Sequence, residues 1–176
     1  GLPSLYAPVV IELGSTERVA DDSLARWLLH PETVQSFRLK TVAAASKRRS
    51  VCGPLAGGCL TLLASLAGTR WQPNLDGAVV FIEEVAEAPY RVDRLLWQLR
   101  ASGMLDAPAA LVFAQFTRCD PPAGRASRTL ETIFRDHATA LGVPTFTGLP
   151  VGHGAGAVGV PLGYSATVDL VRRTLR

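Results

Sequence analysis

A chain of 176 residues has room for one ordinary domain with a real core, and 48% hydrophobic against 19% charged residues excludes a disordered tail. The formal charge of +3, carried by Arg far more than Lys, is too small for a nucleic-acid footprint, and its densest cluster, Lys47-Arg48-Arg49, reads as a solvated connection. No apolar run reaches the roughly 18 to 20 residues of a membrane helix, no signal pattern opens the chain, and Cys52, Cys59 and Cys119 form no C-x-x-C pair, which together imply a reduced, cytoplasmic protein without metal or cofactor.

Residues 1 to 14 open abruptly, which suits a piece of a longer protein, with Val9-Val10-Ile11 a short strand candidate. Asp21 or Asp22 is placed to cap a helix through Leu24, Trp27 and Leu28, closed by His30 and stopped by Pro31. From Phe37 to Val51 a loose alternation predicts two short edge strands around a basic turn. Gly53 to Gly58 reads as a glycine-rich turn opening into an apolar helix that Gly68 ends, so that backbone N–H groups at Gly57 and Gly58 can approach a ligand. The turn matches no nucleotide-binding fingerprint. Cys59 beside it is a packing residue or, less readily, a thiol activated by the helix terminus.

Val79 to Ile82 is an apolar run fit for a strand buried on both faces, and it ends in Glu83 and Glu84. Carboxylates at that end of a strand in an α/β sheet lie where ligands and catalytic groups collect. Val92, Leu95, Leu96 and Leu99 make a helical stripe ended by Gly103, and Arg91 and Arg94 lie off it. Ala109 to Phe113 is the next buried strand, followed by polar residues and the Pro121-Pro122-Ala123-Gly124 loop. Ser127 is then expected to cap a helix with Leu130, Ile133, Phe134, His137 and Leu141 on one face and Gly142 at its end. His137 on that stripe reads as a packed histidine.

Val143 to Phe146 is a further strand, and the order strand, helix, strand, helix, strand predicts an α/β fold with parallel strands and right-handed crossovers. A loop then presents His153 between Gly152 and Gly154, where an imidazole has little to pack against. Tyr164 to Leu170 alternates as a last strand before a basic end, and Ser165 within it is poorly placed for a nucleophile. Strands of one parallel sheet end on one side, so Glu83 and His153 can meet, as two members of a nucleophilic triad that lacks its third.

Three blocks, Gly57-Gly58-Cys59-Leu60, Leu75 to Arg94 with its Glu83-Glu84 and Pro89-Tyr90-Arg91, and Leu149 to Gly154 followed by Pro161-Leu162-Gly163, resemble the C-terminal half of the LD-carboxypeptidase family of serine peptidases. That family includes muramoyltetrapeptide carboxypeptidases and relatives that inactivate microcin C. The resemblance implies a swivelling β/β/α C-terminal domain spanning the whole chain, with a mainly parallel sheet and packed helices. It implies that Glu83 is the carboxylate and His153 the general base of a Ser-Glu-His triad, the serine lying in an N-terminal domain before Gly1. Cys59 stands where the family usually has Asn, and Glu84 where many members have Asp.

The function implied is half of a hydrolase that releases terminal D-alanine from murein tetrapeptide in peptidoglycan recycling, inactive alone and homodimeric when whole. Gly57, Gly58, Arg91 and Arg94 are candidates for substrate binding, the two arginines being equally explicable as ion-pair partners of Asp93 or Glu87. The competing expectations are a peptide-nucleotide hydrolase of the microcin C type, a non-catalytic binding or dimerisation domain descended from the family, and a hydrolase using Cys59. No nucleic acid or membrane partner is expected.

Overall fold

A computed structural model describes residues 4–8, 18–43, 48–121, 124 and 126–176. The elements in chain order are β1 (Ser4–Tyr6), α1 (Arg18–Leu29), β2 (Phe37–Arg38), β3 (Lys40–Ala43), β4 (Ser50–Cys59), α2 (Leu60–Leu66), β5 (Val79–Val85), α3 (Pro89–Ala101), β6 (Ala110–Thr117), α4 (Leu130–Leu141), β7 (Thr145–Thr147), β8 (Val160–Leu162), β9 (Ser165–Asp169) and β10 (Thr174–Leu175). The Val9-Val10-Ile11 strand candidate lies outside the described residues.

Eight strands form one sheet in the order β2-β10-β9-β4-β5-β6-β7-β3. β2 and β3 stand at opposite ends of that order, yet only Leu39 separates them in the chain. One residue advances the chain by about 3.3 to 3.6 Å, so the two ends of the sheet must come together, and the sheet curls into a nearly closed barrel. β1 and β8 pair antiparallel as a separate two-stranded ribbon.

The parallel pairing expected from the strand and helix alternation holds for β4, β5, β6 and β7. The flanks differ, for β3 with β7, β4 with β9, β9 with β10, and β10 with β2 are antiparallel. For β9 and β10 the reason is connection length: residues 170–173 between them suffice for a reversal but not for a helical crossover.

Along β5 the apolar run serves both faces. Val79 and Phe81 join Leu55, Val112, Phe146 and Val168 in the core on the inner face, whereas Val80 and Ile82 join Leu60, Leu96, Phe113 and Ile133 under the helices α2, α3 and α4. The stripe read on α3 is the docking face, with Val92, Leu96 and Leu99 buried. No helix among the described residues is long and apolar enough to cross a membrane.

Three local expectations change. Gly53 to Gly58 is not a turn but the second half of β4, which runs directly into α2. At Gly57 the neighbouring strand comes so close that a Cβ would sit 1.8 Å from the Phe81 carbonyl oxygen, so the glycine marks crowding rather than a bend. The cap of α4 is Thr129, whose hydroxyl accepts from the Thr132 N–H at 3.2 Å, while Ser127 donates to the Arg128 carbonyl. α1 starts at Arg18, which puts Asp21 in its first turn rather than before it.

Candidate active site

β5, β6 and β7 run parallel and adjacent, so their C-terminal ends share one edge of the sheet. Glu83 ends the inner-face series Val79, Phe81, Glu83, and it is fully buried. The loop after β7 turns back over this edge and sets the His153 Nδ1 2.8 Å from Glu83 Oε2. The Tyr6 hydroxyl, from β1, donates to the other oxygen, Oε1, at 2.8 Å. Burial, then the hydrogen bond to Glu83 and the charge on it, push the Tyr6 phenol far above its usual range, so the group stays protonated as a donor.

The histidine side chain remains 37% exposed while its carboxylate partner is sealed. With a carboxylate at Nδ1, that nitrogen bears the proton and Nε2 is left as the basic nitrogen, with no hydrogen-bond partner among the described residues. A buried carboxylate that orients an imidazole whose far nitrogen faces solvent is equipped to take a proton from a nucleophile and return it to a leaving group.

The loop is held at both ends. Between Ile82 and Glu84 on β5, the partner register on β6 jumps from Phe113 to Phe116, a bulge that turns Gln115 towards the loop. The Gln115 carboxamide accepts from the Gly154 N–H at 2.9 Å and donates to the Ala155 carbonyl at 3.1 Å. Its backbone N–H also donates to the Val151 carbonyl at 3.0 Å. At the far end α1 grips Gly159, whose N–H donates to the Ser23 hydroxyl at 2.9 Å and whose carbonyl accepts from the Trp27 indole at 2.7 Å. Gly152, at φ 141°, has no space for a side chain, since a Cβ there would lie 2.9 Å from Gln115 Cβ and 3.0 Å from Glu83 Oε2.

The adjacent acid does something else. Glu84 faces the helices and, although almost as buried as Glu83, accepts from the Thr61 N–H at 2.9 Å and the Thr61 hydroxyl at 2.7 Å, capping α2 from the neighbouring strand. Its other oxygen accepts from the Val85 N–H at 2.8 Å and lies 3.7 Å from the Cys59 sulfur. Burial foremost, with the charges of Glu84 and Glu83 adding to it, pushes the Cys59 thiol up, which corrects the idea of a helix-activated thiolate.

Of the other candidates, Gly57 and Gly58 lie at this edge, paired in register with Phe81 and Ile82 near the end of β4. Arg91 pairs with Glu87 at 3.4 Å and with the Tyr90 hydroxyl at 3.1 Å, and Arg94 is exposed on α3; neither bonds to Glu83 or His153. Gly57 abuts Phe81, and Gly58 lies beside the Tyr6 ring, which is in ordinary van der Waals range at 3.6 Å from where a Cβ would stand. His137 is buried between α3 and α4, its Nε2 2.8 Å from Asp93 Oδ1, and burial lowers its affinity for a proton. Ser165 lies on β9 with its hydroxyl 3.2 Å from the Cys52 sulfur. Tyr6 and Gln115 are the site residues that reading the sequence passed over.

Residues 52–168 match the family model of the LD-carboxypeptidase C-terminal domain. A protein of Synechocystis sp. is 35% identical over 170 residues, covering 96% of this chain and 54% of its own length. The murein tetrapeptide carboxypeptidase of Pseudomonas aeruginosa is 33% identical over 176 residues, covering 96% of this chain and 57% of its own. Among solved structures, the muramoyltetrapeptide carboxypeptidase of Oxalobacter formigenes superposes with a TM-score of 0.82 at 29% identity, over 99% of this chain and 60% of that one. The chain thus spans little more than half the length of these relatives.

Proposed function

The chain belongs to the LD-carboxypeptidase family, and from that premise we propose that it supplies the acid and the base of a Ser-Glu-His peptidase whose serine resides in the remainder of a longer protein. The observation that carries the reading is the 2.8 Å contact between a sealed Glu83 carboxylate and the Nδ1 of a solvent-reaching His153. In the proposed reaction the serine hydroxyl attacks the carbonyl of the bond before a terminal D-alanine and passes its proton to His153 Nε2. Glu83 stabilises the imidazolium so formed. The imidazolium then gives the proton to the departing D-alanine amine, and a water activated by the same nitrogen hydrolyses the acyl-enzyme.

The substrate we assign is murein tetrapeptide, the compound in the name of the Pseudomonas aeruginosa relative. The setting is peptidoglycan recycling in the cytoplasm, by a homodimer in which this C-terminal domain packs on its own N-terminal domain. Arg91, Arg94 and the Gly57-Gly58 pair remain assigned to substrate contact once that domain is in place.

The two adjacent acids provide the test. In the full-length protein, Glu83→Gln should lower kcat by about 10³- to 10⁴-fold, because the imidazole loses the anion that orients it. Glu84→Gln should instead cost about 1 to 3 kcal/mol of stability in urea unfolding, through the lost cap on α2, with kcat near that of the parent. The opposite pattern, an active Glu83→Gln and an inactive but folded Glu84→Gln, contradicts the assignment.

A further inference from the structure

We propose that Tyr6 is a positioning residue of this site, holding the Glu83 carboxylate ionised and aimed at His153. The proposal rests on the reading of Glu83 and His153 as an acid-base pair and adds the group that makes the acid sustainable. Glu83 is 0% exposed, and each carboxylate oxygen has one side-chain partner among the described residues: Nδ1 of His153 on Oε2 and the Tyr6 hydroxyl on Oε1, both at 2.8 Å. Without the phenol, a buried anion would keep one oxygen unpaired, which is costly in so dry a place.

The placement of Tyr6 is built into the fold. Tyr6 pairs with Val160 in the β1–β8 ribbon, and β8 is the strand that the His153 loop leads into, so one ladder sets both partners of Glu83. The tyrosine ring stands edge-on to Phe81, 5.3 Å between centroids, and passes over Gly58.

The consequence is a shift in proton uptake by the pair, while the neighbouring titratable groups, the Glu84 carboxylate and the Cys59 thiol, keep their own contacts with each other and with Thr61. The state with Glu83 ionised and His153 neutral carries an uncompensated charge and depends most on the phenol. Once the pair is protonated, the carboxylate is neutralised or paired and depends on it less. Removing the hydroxyl therefore makes the pair take up its proton at higher pH.

The test is NMR titration of the His153 ring C–H in the 176-residue chain. Tyr6→Phe, which keeps the ring on Phe81, should raise the midpoint by about half a pH unit or more, and 3-fluorotyrosine at position 6, a stronger donor, should lower it. A midpoint unmoved by both, or moved in the reverse sense, overturns the proposal. Glu83→Gln separates this from the underlying reading: it should lower the midpoint by removing the anion. If Glu83→Gln does so and the Tyr6 variants do nothing, only the role of Tyr6 fails; if Glu83→Gln also does nothing, the acid-base pair itself fails.

Discussion

Side chains on β5 alternate between the barrel interior and the helices, so two neighbouring glutamates of equal charge and similar burial meet unrelated partners. Glu83 takes the face of Val79 and Phe81 and reaches His153, while Glu84 takes the face of Val80 and Ile82 and caps α2. Their positions at the end of a buried apolar run were legible in the sequence, as was a histidine freed by flanking glycines. Gln115 was not, because a bulge decides where it points and no local pattern announces a bulge. Tyr6 was not, because its partner lies 77 residues away through a strand of three residues. Since Gln115 bonds both Gly154 and Ala155, Gln115→Ala should loosen the loop without emptying the site. Steady-state kinetics of the full-length variant should show kcat reduced roughly 10- to 100-fold with KM little changed. A kcat equal to that of the parent would mean that the loop holds His153 in place unaided.

At the scale of elements, the strongest helical stripes, on α3 and α4, were readable because each shows apolar residues at helical spacing, with Gly142 at φ 65° ending the second. β4 was misread at its second half because glycine has two uses, reversing the chain and permitting close approach, and only the structure tells them apart. Gly57 serves the second use, beside the Phe81 carbonyl at the position where β4 pairs with β5. Its φ of 140° adds a backbone conformation that other residues rarely adopt. Gly57→Ala should therefore cost on the order of 3 to 5 kcal/mol, or prevent folding, as read from urea unfolding or soluble yield. A loss below about 1 kcal/mol would show that the β4–β5 pair can spread, and that the approach of the strands is not needed for the edge that holds Glu83.

For the whole molecule, the α/β alternation and the parallel centre followed from the order of elements, whereas the curled closure did not. Closure depends on β2 and β3, strands of 2 and 4 residues whose partners β10 and β7 lie more than a hundred residues further along the chain. Parallel pairing brings the C-terminal ends of β4, β5, β6 and β7 to one edge, and the pair at that edge has a basic nitrogen with no hydrogen-bond partner among the described residues. The proposed function requires that the full-length protein bring a serine to it. The direct measurement is chromatographic detection of D-alanine released from murein tetrapeptide by the full-length protein, by its His153→Ala variant and by the 176-residue chain alone. Release is expected from the first, at least about a thousandfold less from the second, and none from the third. Release by the chain alone, or an unimpaired His153→Ala variant, would contradict the proposed function.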